Sequence, residues 1–157
     1  MKIVRVNIIC FLLLLFSCTQ EAPRYTVPVA PVHLRVDLHG YDFVLQNALS
    51  YKIYTEKERR FDDERFGFAG ILVVSDVAGE TLYAYDLCCP YEDRREVTVD
   101  PEYEGSGRYN GRVKCPVCGT VFVTMFGQGS VASGPSKEPL QRYSVVPLSD
   151  GRFQITR

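Results

Sequence analysis

Two short loops, Cys88-Cys89-Pro90-Tyr91-Glu92 and Lys114-Cys115-Pro116-Val117-Cys118-Gly119-Thr120-Val121-Phe122, carry four of the six cysteines of this 157-residue chain. Proline after cysteine fixes φ and removes a backbone donor. Two such turns in a chain of short strands are a pattern by which hairpin tips present thiolates to iron or zinc. In the second loop Cys115 and Cys118 stand three apart, and Gly119 gives the backbone the freedom to curl, so both thiols can converge on one centre. A redox-inert pair or a Cys115–Cys118 disulfide is the competing reading. In the first loop the cysteines are adjacent, and neighbouring side chains on extended backbone point to opposite faces. Cys89, whose Cys-Pro step repeats Cys115-Pro116, is the stronger ligand candidate. Cys88 is carried as a further metal-ligand candidate, with a small buried apolar role as its alternative.

The other two cysteines belong to the N-terminus. Met1 to Arg5 is positively charged, and Ile8 to Phe16 is apolar but too short for a permanent membrane span. Leu15-Phe16-Ser17-Cys18 then resembles a bacterial lipobox, which implies a lipoprotein signal peptide over 1–17 and lipidation at Cys18. Cys10 lies within the removed segment. Residues 18–31, with Pro23, Pro28 and Pro31, read as a tether, and 32–157 as one domain. The expected protein is exported, held to a membrane by lipid on Cys18, and exposed to an oxidising compartment where disulfides compete with metal. Loss of Lys2 and Arg5 takes the formal charge from −1 to −3, which leaves no basic footprint for nucleic acid.

Within the domain, hydrophobic alternation predicts strands over Val32–Leu38 and Tyr51–Tyr54, with a helical turn or loop between them. Ala69–Ser75 and Thr81–Leu87 read as a hairpin that delivers the chain to Cys88. Glu96–Val99 reads as a short strand, Pro101–Gly111 as a glycine-rich loop, and Arg112–Lys114 and Thr120–Val123 as the arms of the second cysteine turn. Leu140–Val146 and Arg152–Ile155 close the domain. The charged stretch Glu56–Glu64 reads as a solvated loop. No helix is expected, and the fold class is all-β, an antiparallel sandwich or barrel.

Strand, Cys-Pro turn, hairpin, Cys-Pro-x-ligand-Gly-x-x-Phe turn, Gly134-Pro135-Ser136 loop and Leu140-x-x-Tyr143-x-Val145 strand together resemble the Rieske [2Fe–2S] domain. The resemblance is specific from Asp86 to Val146. It implies a sandwich or barrel with a small two-knuckle cluster-binding subdomain. In that family two cysteines hold one iron and two histidines the other. By position, Cys89 and Cys115 match the cysteine ligands, while Tyr91 and Cys118 stand where the family has histidine. Gly119 and Phe122 match the family's glycine and aromatic residue, and Gly134-Pro135-Ser136 its covering loop. The only histidines, His33 and His39, lie near the first strand.

Three chemistries stay open. A modified [2Fe–2S] centre would use Cys89, Cys115 and Cys118, with Cys88, Tyr91 or Glu92 as a fourth ligand. A structural zinc could use the same thiolates. A third possibility keeps the scaffold as an interaction module with no cofactor. The resemblance implies electron transfer at the cell envelope with a redox partner protein. No catalytic set of residues is evident: two histidines in one segment cannot build a Ser-His-Asp site, and no phosphate-binding loop is present.

Overall fold

The computed structural model describes residues 26–157. The expected signal peptide over 1–17, the expected lipidation at Cys18 and the part of the expected tether up to residue 25 lie outside the described residues. Eleven strands follow in chain order: β1 (Val32–Asp37), β2 (Tyr51–Tyr54), β3 (Arg65–Phe66), β4 (Ile71–Ser75), β5 (Leu82–Asp86), β6 (Asp100–Tyr103), β7 (Tyr109–Lys114), β8 (Val121–Val123), β9 (Ser130–Ser133), β10 (Arg142–Pro147) and β11 (Arg152–Thr156). Among the described residues two short 3-10 helices, Phe43–Gln46 and Glu56–Glu58, interrupt them. The protein is all-β, and every strand pair is antiparallel. Among the described residues no helix is long and apolar enough to cross a membrane.

Seven strands, in the order β2-β4-β5-β10-β11-β1-β3, form a sheet that curls into a nearly closed barrel. The remaining four, β6-β7-β8-β9, form a second sheet inserted between β5 and β10. Strand β4 explains how the two layers meet. Ile71 and Val73 face a core with Leu34, Val36, Leu45, Tyr54, Phe66 and Ile155. Leu72 and Val74, on the opposite face, pack with Tyr85, Leu87, Val99, Val113, Phe122 and Leu140. The period of two sends alternate residues to each core, so a strand covered on both sides reads as an unbroken apolar run. Cys89 and Cys115 belong to this second, inter-sheet core.

Three sequence expectations need correction. Glu96–Val99 is not a strand: only Thr98 makes a bridge, to Cys88. Strand β6 falls where a loop is expected, and it tolerates Pro101 because it is the edge strand of its sheet. The charged stretch is not fully solvated, since Glu64 is completely buried. Its carboxylate accepts the Arg60 N–H at 2.7 Å and lies 3.6 Å from the Arg60 guanidinium.

Arg60 also contacts the buried Asp42 at 3.1 Å, and Lys52 reaches the same carboxylate at 2.8 Å. Burial pushes the Asp42 carboxyl upward, but Lys52, the Asp37 N–H and Arg60 outweigh it and hold its pKa below the usual carboxylate value. A depressed folded pKa gives stability that is present above the unfolded value and lost as pH falls through the folded one. Asp42→Asn is therefore expected to cost about 2 kcal/mol at neutral pH. It should also flatten the fall in melting temperature below about pH 4. A melting series against pH checks both, and an unchanged acid limb would refute the assignment.

Candidate metal centre

The first cysteine turn grows from the end of β5. Asp86, fully buried, accepts from Phe68 N–H at 2.7 Å, Ala69 N–H at 3.2 Å and Cys88 N–H at 2.8 Å, and from the Tyr143 hydroxyl. Burial and the Asp86 charge push the Tyr143 phenol upward, so it remains a donor. One carboxylate thus fixes three segments at the root of the turn. Gly67 is obligatory beside it: a Cβ there would meet the Tyr143 hydroxyl at 2.3 Å and Asp86 Oδ2 at 2.8 Å.

The two turns share a backbone design. Cys89 O accepts from Glu92 N–H at 3.2 Å and Asp93 N–H at 3.0 Å, and Cys115 O from Gly119 N–H at 3.0 Å. Four residues after each cysteine the chain enters the left-handed region, at Asp93 with φ 48° and at Gly119 with φ 74°. Glycine has no steric penalty there, and aspartate is among the few other residues that tolerate it. Cys115 N–H donates to Thr120 O at 2.8 Å and closes the second turn.

These turns bring three thiols together. The Sγ atoms of Cys89, Cys115 and Cys118 all lie within 4.8 Å of one another, with Cys89 and Cys118 at 3.7 Å. Cys89 and Cys115 are buried and Cys118 is partly exposed, so the group opens to solvent on one side. Burial pushes the Cys89 thiol up to about 12, against the pull of the Glu92 and Tyr91 N–H groups. At Cys118 burial is outweighed by the Thr120 hydroxyl and N–H and by the neighbouring thiols, and its pKa lies below the usual thiol value. The Thr120 hydroxyl stands 3.1 Å from Cys118 Sγ and also accepts the Ser136 N–H at 3.3 Å. The Gly134-Pro135-Ser136 loop accordingly covers the second turn. A Cβ on Gly134 would come within 2.5 Å of Thr120 Cα.

Cys88 stands outside this group. Its thiol is directed at the Arg94 carbonyl, 3.5 Å away, and burial together with the Asp86 and Asp93 charges pushes it up to about 12. What separates it from Cys89, equally buried and equally raised, is direction: it does not converge with the other three thiols. Tyr91 is exposed, and the Glu92 carboxylate pairs with Arg94 at 3.2 Å instead of joining the thiols. His33 contacts Asp63 at 3.3 Å on the barrel, and His39 packs beside Gly151. Neither histidine joins the three thiols. Asp86 and Thr120 support the site without any signal in the sequence that separates them from ordinary polar residues, whereas Tyr143 is marked by the Leu140-x-x-Tyr143-x-Val145 pattern.

The sulfur spacing tests which group these residues fit. A zinc–sulfur bond of about 2.3 Å gives a tetrahedral S···S edge of about 3.8 Å. The Cys89–Cys118 separation of 3.7 Å matches that edge. A binuclear cluster instead divides four ligands between two irons, and no fourth cysteine, histidine or carboxylate completes this group among the described residues. A four-coordinate zinc lacks a fourth protein ligand here just as a cluster does, so the three thiols fit a thiophilic metal or an iron–sulfur group.

No protein-family model matches the chain, and no curated protein matches it. A solved structure from Mycobacterium tuberculosis, assigned as the small subunit of an NADH-dependent nitrite reductase, is similar over 81% of this chain and 96% of its own, at 15% identity and a TM-score of 0.44.

Proposed function

We propose that this chain is a membrane-tethered metal–thiolate protein of the cell envelope, its centre a single ion held by Cys89, Cys115 and Cys118. The observation that carries the metal reading is the convergence of three thiols from two separate turns within 4.8 Å. Folding has placed three groups with a strong tendency to oxidise or ligate at one point, two of them buried in the inter-sheet core. The tether rests on Cys18 and the lipobox-like residues before it.

The resemblance of the Cys-Pro loops to Rieske domains ranks electron transfer first among roles for the centre. That ranking is analogy of scaffold, and fold alone does not fix function. Iron on three thiolates supplies a one-electron couple, and the chain sets its charge, hydrogen bonding and solvent access. Zinc on the same thiolates supplies a structural clasp between the two turns.

Metal analysis of protein produced anaerobically in an iron-replete host tests the reading. One metal per chain without inorganic sulfide is expected, coloured with iron and colourless with zinc. Two irons with two sulfides per chain would replace the single-ion centre by a cluster. Metal-free protein that takes up neither iron, zinc nor cobalt would leave only an interaction module.

A further inference from the structure

The described chain begins against the candidate centre. Thr26 Oγ1 donates to Pro90 O, the residue after Cys89, at 2.9 Å, and Thr26 N–H donates to Glu138 at 2.9 Å. Val27 is 3% exposed, and its carbonyl accepts from the Gln141 amide at 3.0 Å. The segment read as the last part of a tether is therefore fastened to the domain from Thr26 onward, beside the first cysteine turn.

The opposite end of the barrel is distinct. Strand β1 runs away from this point, and just beyond its end Leu38 N–H donates to Gly151 O. Phe43 and the β10–β11 turn with Leu148 occupy that far end, and both side chains are exposed. At the near end Tyr91 and Val117 project from the tips of the two cysteine turns, 57% and 58% exposed. A groove of about 250 Å³ between Pro90, Tyr91, Pro135 and Glu138 adjoins them.

From these positions we infer that the cysteine-turn end of the domain faces the bilayer, with Tyr91 and Val117 at the lipid surface. The inference rests on the lipid anchor at Cys18 proposed above. Eight Cα steps separate Cys18 from Thr26, and a fully extended chain covers at most about 28 Å over that length. A compact domain of this size is about 36 Å across. With the tether entering beside Pro90, the barrel cannot fit between its own entry point and the membrane. Inversion is sterically closed, and the far end with Phe43 and Leu148 points away. Tyrosine at the tip suits the interface, where its apolar ring and polar hydroxyl are both accommodated. The occupant of this face is the bilayer surface, and a partner that exchanges with the centre must approach along the membrane plane.

The chain contains no tryptophan, so one introduced tryptophan reports position. The test uses full-length lipidated protein in phosphatidylcholine vesicles, with or without lipid carrying a shallow nitroxide quencher, and the variants Tyr91→Trp and Phe43→Trp. The ratio of emission without and with quencher cancels any effect of the bound metal. At least twofold stronger quenching at position 91 than at 43 is expected, and Val117→Trp gives the same reading if Tyr91→Trp does not fold. Equal quenching, or stronger quenching at 43, overturns the inference while the protein still floats with vesicles. Failure to float removes the lipid anchor as well, and leaves the metal stoichiometry standing.

Discussion

Asp86→Ala is expected to lower the unfolding free energy by about 4 kcal/mol, because it strands several buried donors at once. Phe68, Ala69 and Cys88 each lose the acceptor for a backbone N–H, and the Tyr143 hydroxyl loses its partner. Each stranded donor costs about 1–3 kcal/mol, reduced where water enters the space left by the carboxylate. Asp86→Asn retains the volume and one acceptor oxygen, and should cost about half as much. Chemical denaturation of the metal-free protein measures both without interference from the centre. An alanine variant within about 1 kcal/mol of the parent would show that the three segments are held by packing instead. In the metal-loaded protein the same change should also weaken binding, since Cys88 and Cys89 follow directly from this carboxylate.

Cys115→Ser should weaken metal binding about a hundredfold or more, as should Cys89→Ser and Cys118→Ser. Cys88→Ser should bind as the parent does. A structural site binds with roughly 10–16 kcal/mol shared among its ligands, or about 3–5 kcal/mol for each of three. Loss of one ligand is then about a hundredfold or more in affinity. Competition with a chelator of known affinity measures the change, and cobalt absorption shows whether the remaining thiolates still meet at one ion. The order within the series carries the geometry. If Cys88→Ser lost metal as fully as the other three, the thiol facing Arg94 O would belong to the centre and the present group of three would be wrong.

Much of this architecture could be read from residue order. Alternation at Val32–Leu38 and Tyr51–Tyr54 marks half-covered strands, and the Asp76–Glu80 turn lies between two arms that do pair, Ile71 opposite Asp86 through to Ser75 opposite Leu82. The recurrence of Cys-Pro points to Cys89 and Cys115, the three-residue spacing from Cys115 points to Cys118, and the three thiols meet. The adjacency of Cys88 and Cys89 already separated them onto opposite faces. What stayed hidden depends on contacts across long stretches of chain. Nothing local distinguishes Asp86 from a surface aspartate, since its partners Phe68 and Tyr143 lie 18 and 57 residues away. Glu64 looked solvated because its neighbours are charged, although the same neighbours, Arg60 above all, make its burial possible. Strand β9 carries Ser130 and Ser133 around Val131 and Ala132, too little apolar pattern to register, and is held by pairing with β8.

The small sheet leaves the barrel after Asp86 and returns at Gln141, and those two residues are joined by a hydrogen bond from Asp86 N–H to Gln141 O at 2.8 Å. The whole excursion therefore starts and finishes at one spot, like a cassette clipped into a socket. A short linker between Leu87 and Leu140 would span the gap, so excision or transplantation of the cassette is geometrically simple. The surface that such surgery uncovers is not innocuous, because Leu72, Val74 and Tyr85 would lose their cover. A replacement cassette must bring its own greasy underside, whatever chemistry it carries at its tip.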